Sequence, residues 1–219
     1  MPDDNPVVRN QLAEVFIAAK RYANKYPVCE SPKDRLGLLL TGPPGVGKTH
    51  LAISVAKVLI ARAVEVTFYD YQDLLQRIQR GWNPNSGTAD REAYRNALES
   101  EVLLIDDLGA RRAQDWVEDT INAIITYRCN NNKALIATTN LPDPSISDTL
   151  PVNPREPGSK QTYARTLAEA IGERSRSRLS EMCQILRMPS APDYRPKASN
   201  PDMEELLKGR TFYGRGESK

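Results

Sequence analysis

One histidine, three cysteines and two tryptophans in 219 residues leave little material for several kinds of site. The lone His50 excludes paired-histidine metal centres and argues against a Ser-His-Asp triad. Cys29, Cys129 and Cys183 are odd in number, far apart and free of C-x-x-C spacing. Neither a zinc site nor a disulfide framework is expected, and the thiols read as small buried apolar groups suited to a reducing compartment. No apolar run exceeds about five residues, against the roughly 18 that a membrane span needs, and the acidic opening MPDDNP does not read as a signal peptide. A cytoplasmic protein without a membrane partner is the expectation. Neither sign of charge is in excess: 30 Lys and Arg face 28 Asp and Glu, a formal +2, so any nucleic-acid role has to be argued from local clusters. What is present, 40% apolar and 26% charged residues, is the composition of a folded chain long enough for one main domain.

Leu12, Val15, Phe16, Ala19, Ala23 and Tyr26 recur at helical spacing, so 8–26 reads as an amphipathic lead-in helix stopped by Pro27. Short apolar runs at 36–41, 64–69, 102–105, 134–138 and 184–188 read as strands. Helical stretches at 48–63, 71–81, 90–100, 112–130 and 162–182 separate them. That alternation implies an α/β fold, a parallel sheet with helices on both faces. Five of the sixteen prolines fall in 142–157, a long surface loop. The expected division is a lead-in over 1–35, one main domain over 36–195 and a polar tail over 196–219 with a short helix near 203–208.

The segment Gly42-Pro43-Pro44-Gly45-Val46-Gly47-Lys48-Thr49 fits the phosphate-binding pattern G-x-x-x-x-G-K-[ST], and it lies between a strand and a helix. Its glycines let backbone N–H groups approach phosphate oxygens, and the helix start adds free N–H groups and a positive dipole end. Lys48 reaches the β and γ phosphates of ATP, and the Thr49 hydroxyl ligates a Mg2+ ion bridging them. His50 is counted with this loop as its next residue, without chemistry of its own. The run Glu101-Val-Leu-Leu-Ile-Asp106-Asp107 ends a buried strand in two acids. Asp106 is the magnesium-side carboxylate and Asp107 the water-side one, unless the pair only opens a turn before Gly109. Many motor ATPases carry Glu where Asp107 stands; a side chain one methylene shorter sets the carboxylate about 1.5 Å back, so hydrolysis is expected to be slow. Asn140, closing Ala137-Thr-Thr-Asn140, either holds the attacking water or γ phosphate by its amide or starts a turn before Leu-Pro.

Together GPPGVGKTHLA, LLIDDLGA, ATTN and GERSRSRLSEMC resemble the AAA+ ATPases of the bacterial helicase-loader group, DnaC and DnaI, with the transposition helper IstB. The resemblance runs over about 22–195. It implies a P-loop NTPase of the AAA+ ASCE type: a five-stranded parallel sheet, the acid-bearing strand next but one to the edge, and a minimal lid or none. It implies ATP-dependent homo-oligomeric assembly on single-stranded DNA and, as partner, a replicative helicase or a transposase. Position by position, Lys48 and Thr49 look like the Walker A pair, Asp106 and Asp107 the Walker B pair and Asn140 sensor 1. Arg178 looks like the arginine finger that completes a neighbour's site, and Arg195 like a sensor 2 arginine. Two departures accompany this: only about thirty residues precede the phosphate-loop strand where the loaders carry a partner-binding region, and 142–157 is longer than the usual connection.

The arginines also read on their own. Arg174 and Arg178 share one helix face and Arg176 does not, so some must point outward, either to a neighbour's phosphate or into solvent beside Glu169, Glu173 and Glu181. Residues 160–197 hold eight basic and four acidic side chains, which suits an anionic neighbour. In 71–81, Arg77 and Arg80 share a face away from Leu74, Leu75 and Ile78, with Trp82 following. That is either a cationic and stacking contact to single-stranded DNA or an ordinary amphipathic surface helix. The use of Arg111, Arg112 and Arg128, at a subunit interface or in solvent, stays open. Against the ATPase stands a small-molecule phosphoryl transferase, which shares the Gly-Pro-Pro-Gly opening but needs no paired acids.

Overall fold

Strands with no polar interruption take the centre of the molecule. A computed structural model describes residues 6–27, 35–83, 87–111, 114–144 and 165–190. In it β1 (Gly37–Thr41), β3 (Val102–Asp106) and β4 (Ala134–Thr139) are buried at every position. The less uniformly buried β2 (Val66–Asp70) and β5 (Cys183–Arg187) take the two edges of a five-stranded sheet ordered β2-β3-β4-β1-β5. Every pair is parallel. Alternation along the strands divides the apolar side chains between two cores. Leu39, Leu103, Ile105, Leu135 and Ala137 face one, and Leu38, Leu40, Val102, Leu104 and Ile136 the other. At about 1.5–3 kcal/mol for each fully buried aliphatic side chain, this two-sided burial is what holds a parallel sheet together.

One core is covered by α1 (Pro6–Lys25) and α2 (Lys48–Ala61), with Val15, Ala19, Tyr22 and Ala23 of α1 packed into it. The other is covered by α3 (Tyr71–Gly81), α4 (Thr88–Glu99), α5 (Asp115–Asn130), α6 (Leu167–Ile171) and α7 (Glu173–Met182). Asp70 ends β2 and caps α3 at once, its carboxylate accepting the N–H groups of Gln72 and Asp73. No helix among the described residues is long and apolar enough to cross a membrane.

Several expectations need correction. The stretch 162–182 is not one helix: α6 and α7 are separated by Gly172, whose φ of 84° ends the first and starts the second. A Cβ there would run into the Glu118 carboxylate, so a side chain is excluded by space as well as by backbone angle. The acid-bearing β3 lies directly inside the edge strand β2, one place nearer the edge than the resemblance implies. Arg128 is neither in solvent nor at a subunit surface but fully buried. Its guanidinium donates to the carbonyls of Ala97, Leu98, Glu101 and Ala134, so it caps the end of α4 and the entry to β3 and β4. Burial brings it down to about 10, which leaves it charged at neutral pH. Cys183 is buried and its thiol pushed well up by burial, whereas Cys129 is only half-buried. Cys29, Arg112, Arg195, most of the proline-rich loop (145–157), the tail with its short helix and the residues where a lid would follow lie outside the described residues.

Candidate nucleotide-binding site

The phosphate loop joins the carboxyl end of β1 to the start of α2. Gly47 stands at the α2 N-cap with φ 91°, a conformation open to glycine at no steric cost. The helix has no side-chain cap and no acidic residue in its first turn, so its N–H groups and positive end remain available to an anion. Pro43 and Pro44 are exposed, Val46 is buried beneath the loop, and His50 is exposed on α2. Lys48 is 95% covered, and its ammonium donates to the carbonyls of Gly42 (2.9 Å) and Pro43 (2.6 Å). A cation folded back into its own loop of N–H groups is what a polyphosphate group needs.

Beside it, the Thr49 hydroxyl donates to both carboxylate oxygens of Asp106, at 2.9 and 3.1 Å. Asp106 is buried at the end of β3 and also accepts from the Thr138 hydroxyl (2.5 Å). Burial raises its carboxyl above the usual range; the bonds from Thr138 and Thr49 act against this, and the neighbouring charges of Asp107 and Asp70 add to it. A divalent cation beside Asp106 would favour its charged form. Among the described residues no group of three or more His, Cys, Asp or Glu could hold a metal unaided. Magnesium needs only one or two protein oxygens beside phosphate oxygens and water, and the adjacent Thr49 and Asp106 offer them. The residues present therefore suit a nucleotide with its cation.

Asp107 departs from the strand into the left-handed region, φ 58°, which aspartate tolerates better than most residues. Its N–H donates to Thr138 Oγ1 (2.9 Å), and its carboxylate meets the exposed Asn140 amide, which donates to Oδ1 at 2.5 Å. The paired acids, Thr49 and Asn140 thus converge at one end of the sheet. Thr138, within the same ATTN run, also belongs to the site; strand alternation puts it on the same face of the sheet as Asp106, where its hydroxyl donates to the Asp106 carboxylate and accepts the Asp107 N–H.

Arg178 lies elsewhere. Its guanidinium reaches Asn130 Oδ1 (3.5 Å) and Cys129 Sγ (3.9 Å) at the far end of α5. That helix runs 16 residues from the acid end of the sheet, a length of about 24 Å, so Arg178 cannot turn back into its own phosphate loop. No ion pair links Arg174 or Arg178 to Glu169, Glu173 or Glu181 among the described residues; Arg176 instead pairs with Asp143. Arg77 and Arg80 are engaged with Asp73 (2.7 Å) and Asp90 (3.6 Å). Next to them the chain's two tryptophans meet edge to face, Trp82 to Trp116, with ring centres 5.4 Å apart. The Arg111 guanidinium stands 5.3 Å over the Trp116 ring. Nothing in the sequence spacing indicated that this pair would meet.

Comparison with known proteins gives a consistent result. The profile of the IstB-like ATP binding protein family matches residues 18–150. The replicative helicase loader DnaC of Buchnera aphidicola subsp. Baizongia pistaciae is 27% identical over 128 residues, which cover 58% of this chain and 50% of that one. The chain spans about half the length of the curated relatives it matches. Among solved structures, that of the DnaC helicase loader superposes with a TM-score of 0.64 at 28% identity, covering 86% of this chain and 93% of that one. DnaI superposes at 0.56 and 22% identity over 87% and 86% of the two chains, a likeness of fold alone. The fold is that of the P-loop AAA+ domains.

Proposed function

Since the chain belongs to the IstB-like ATP-binding protein family, we propose that it holds ATP with Mg2+, hydrolyses it slowly as a homo-oligomer on single-stranded DNA, and delivers a replicative helicase. The observation that carries this reading is the separation, within one molecule, of Arg178 from the acids and the phosphate loop. Among the described residues Arg178 bonds to none of the lysine, threonine, two acids and asparagine of its own site, and each copy carries it toward the opposite end of the sheet. Two copies in register supply what one does not.

ATP and Mg2+ bring the scissile phosphoanhydride and the cation that draws charge from it. Lys48 and the loop N–H groups bind the phosphate oxygens, and Thr49 with Asp106 holds the cation. Asp107 accepts a proton from, or orients, the attacking water, and Asn140 fixes the carboxylate by its amide. Arg178 of an adjoining copy neutralises charge developing on the γ phosphate, a contribution of about 10³ to 10⁵ in rate where such arginines act.

The single-strand reading draws its support from Trp82, 59% exposed beside Trp116 and Arg111. An open indole face next to a guanidinium suits an unpaired base and its phosphate. Arg77 and Arg80, already paired with acids, are weaker candidates for that role. The helicase as partner is carried over from the relatives named DnaC. A transposase-recruiting scaffold is the second reading, and the family match favours it over a small-molecule kinase. The test is phosphate release per chain against protein concentration, with and without single-stranded DNA. Turnover that rises with both supports the loader, and retained ATP with filaments on duplex DNA supports the scaffold. Turnover independent of concentration and DNA contradicts both.

A further inference from the structure

One ion pair joins two parts of this machinery directly through their side chains. Asp143, 7% exposed, lies three residues after Asn140 and accepts from Arg176 Nε at 2.9 Å. The segment between is held along its length. Thr139 Oγ1 donates to the Leu108 carbonyl (2.9 Å) and accepts the Leu141 N–H (3.1 Å), and the Pro142 carbonyl accepts the Leu167 N–H (2.9 Å). Asn140 therefore has little freedom to move without Asp143. On the other side, Arg176 stands on α7 two residues before Arg178. The two side chains leave the helix about 200° apart, and they reach opposite ends of the sheet: Arg176 the Asn140 segment, Arg178 the end of α5. A buried carboxylate paired with arginine adds little stability over a packed apolar contact, so its presence at this junction calls for another reason.

Resting on the function proposed above, we propose that Asp143 and Arg176 form a positioning link between the two halves of the ATPase. They tie the placement of Asn140 in a subunit's own site to the placement of Arg178, the group offered to the neighbour. Neither residue touches the nucleotide. Their work is to make the Asn140 segment and α7 move as one body.

The experiment uses the full chain with Arg176→Gln, and with Arg176→Lys as the conservative variant. Each is placed first in subunits that also carry Lys48→Ala and so donate only Arg178. Each is then placed in subunits that also carry Arg178→Ala and so provide only the site. The partner in each mixture is the complementary single variant. The link predicts that Arg176→Gln lowers turnover about tenfold in both placements, with KM within about twofold, and that Arg176→Lys recovers most of it. Amide exchange without nucleotide should rise in 139–144 and α7 and stay unchanged in β1 and β3. Loss in one placement only, or in neither, overturns the link while leaving the proposed function intact. A rise in exchange spread over the whole sheet for both variants marks a purely structural pair and also overturns it. If the parent mixture of Lys48→Ala and Arg178→Ala is itself inactive, the function falls and the link falls with it.

Discussion

The Asn140 amide and the Asp107 carboxylate, 33 residues apart in the chain, form one hydrogen-bonded unit at the carboxyl ends of two adjacent strands. The left-handed turn at Asp107 makes this possible, because it swings the side chain off the strand direction toward Asn140. The short aspartate is held to one side of the mouth, so the distance to the attacking water is set by an amide as well as by chain length.

Lengthening that side chain should raise the rate and lower stability together. Asp107→Glu brings the carboxylate forward and is expected to raise kcat about tenfold with little change in KM. A glutamate in the left-handed region should also cost about 1 kcal/mol, read as a lower denaturant midpoint. Asp107→Asn should bind ATP and fail to turn it over. A faster Asp107→Asn variant would remove Asp107 from the reaction.

Fluorescence from the only two tryptophans reports on one surface. Single-stranded oligo(dT) should quench it to saturation, and Trp82→Ala should weaken binding by about 1–3 kcal/mol, the usual worth of one stacked base. Arg111→Ala should weaken binding and lower its salt dependence. Equal affinity for wild type and Trp82→Ala would move the DNA elsewhere on the protein.

Arg128 should matter to stability and not to the nucleotide. Its carbonyl partners lie at the end of α4 and at the amino ends of β3 and β4, opposite the phosphate loop. Arg128→Met leaves those acceptors buried without donors and should cost roughly 3 kcal/mol by urea unfolding. Arg128→Lys should recover little, because an ammonium cannot reproduce the fork. ATP affinity of the folded fraction should be unchanged.

Tyr71 gives a pH-dependent signature. It is fully buried, its hydroxyl has no hydrogen-bond partner among the described residues, and burial pushes it up to about 12. Below pH 10 the phenol is neutral in both folded and unfolded chains and contributes no slope. Between pH 10 and 12 the unfolded chain ionises ahead of the folded one, so stability falls by roughly 2 kcal/mol across that window. Tyr71→Phe should remove this part of the alkaline loss and add about 1 kcal/mol at neutral pH. An unchanged alkaline limb in the variant would contradict the assignment.

How much of this was legible beforehand follows from the range of each signal. The phosphate loop, the acid pair and the five strands are local patterns, readable because glycine spacing and two-sided apolar runs have one structural meaning each. The helix break at Gly172 was hidden because a glycine inside an otherwise helical run reads as a tolerated defect; the Glu118 side chain that fills the space beside it is 54 residues away in sequence. Arg128 looked like surface charge because an isolated arginine on a helix usually is, and the carbonyls it satisfies belong to other elements. Thr138, the Trp82–Trp116 contact and the Asp143–Arg176 pair depend on which strands and helices become neighbours, and no local pattern encodes that.

The central claim is that one molecule's site is completed by another's Arg178, and mixing two inactive variants tests it most directly. Lys48→Ala and Arg178→Ala should each be inactive alone. Combined in equal amounts they should recover about a quarter of wild-type turnover, since random neighbours make that share of interfaces competent. A mixture as inactive as its components, under conditions where the wild type turns over, would contradict the account.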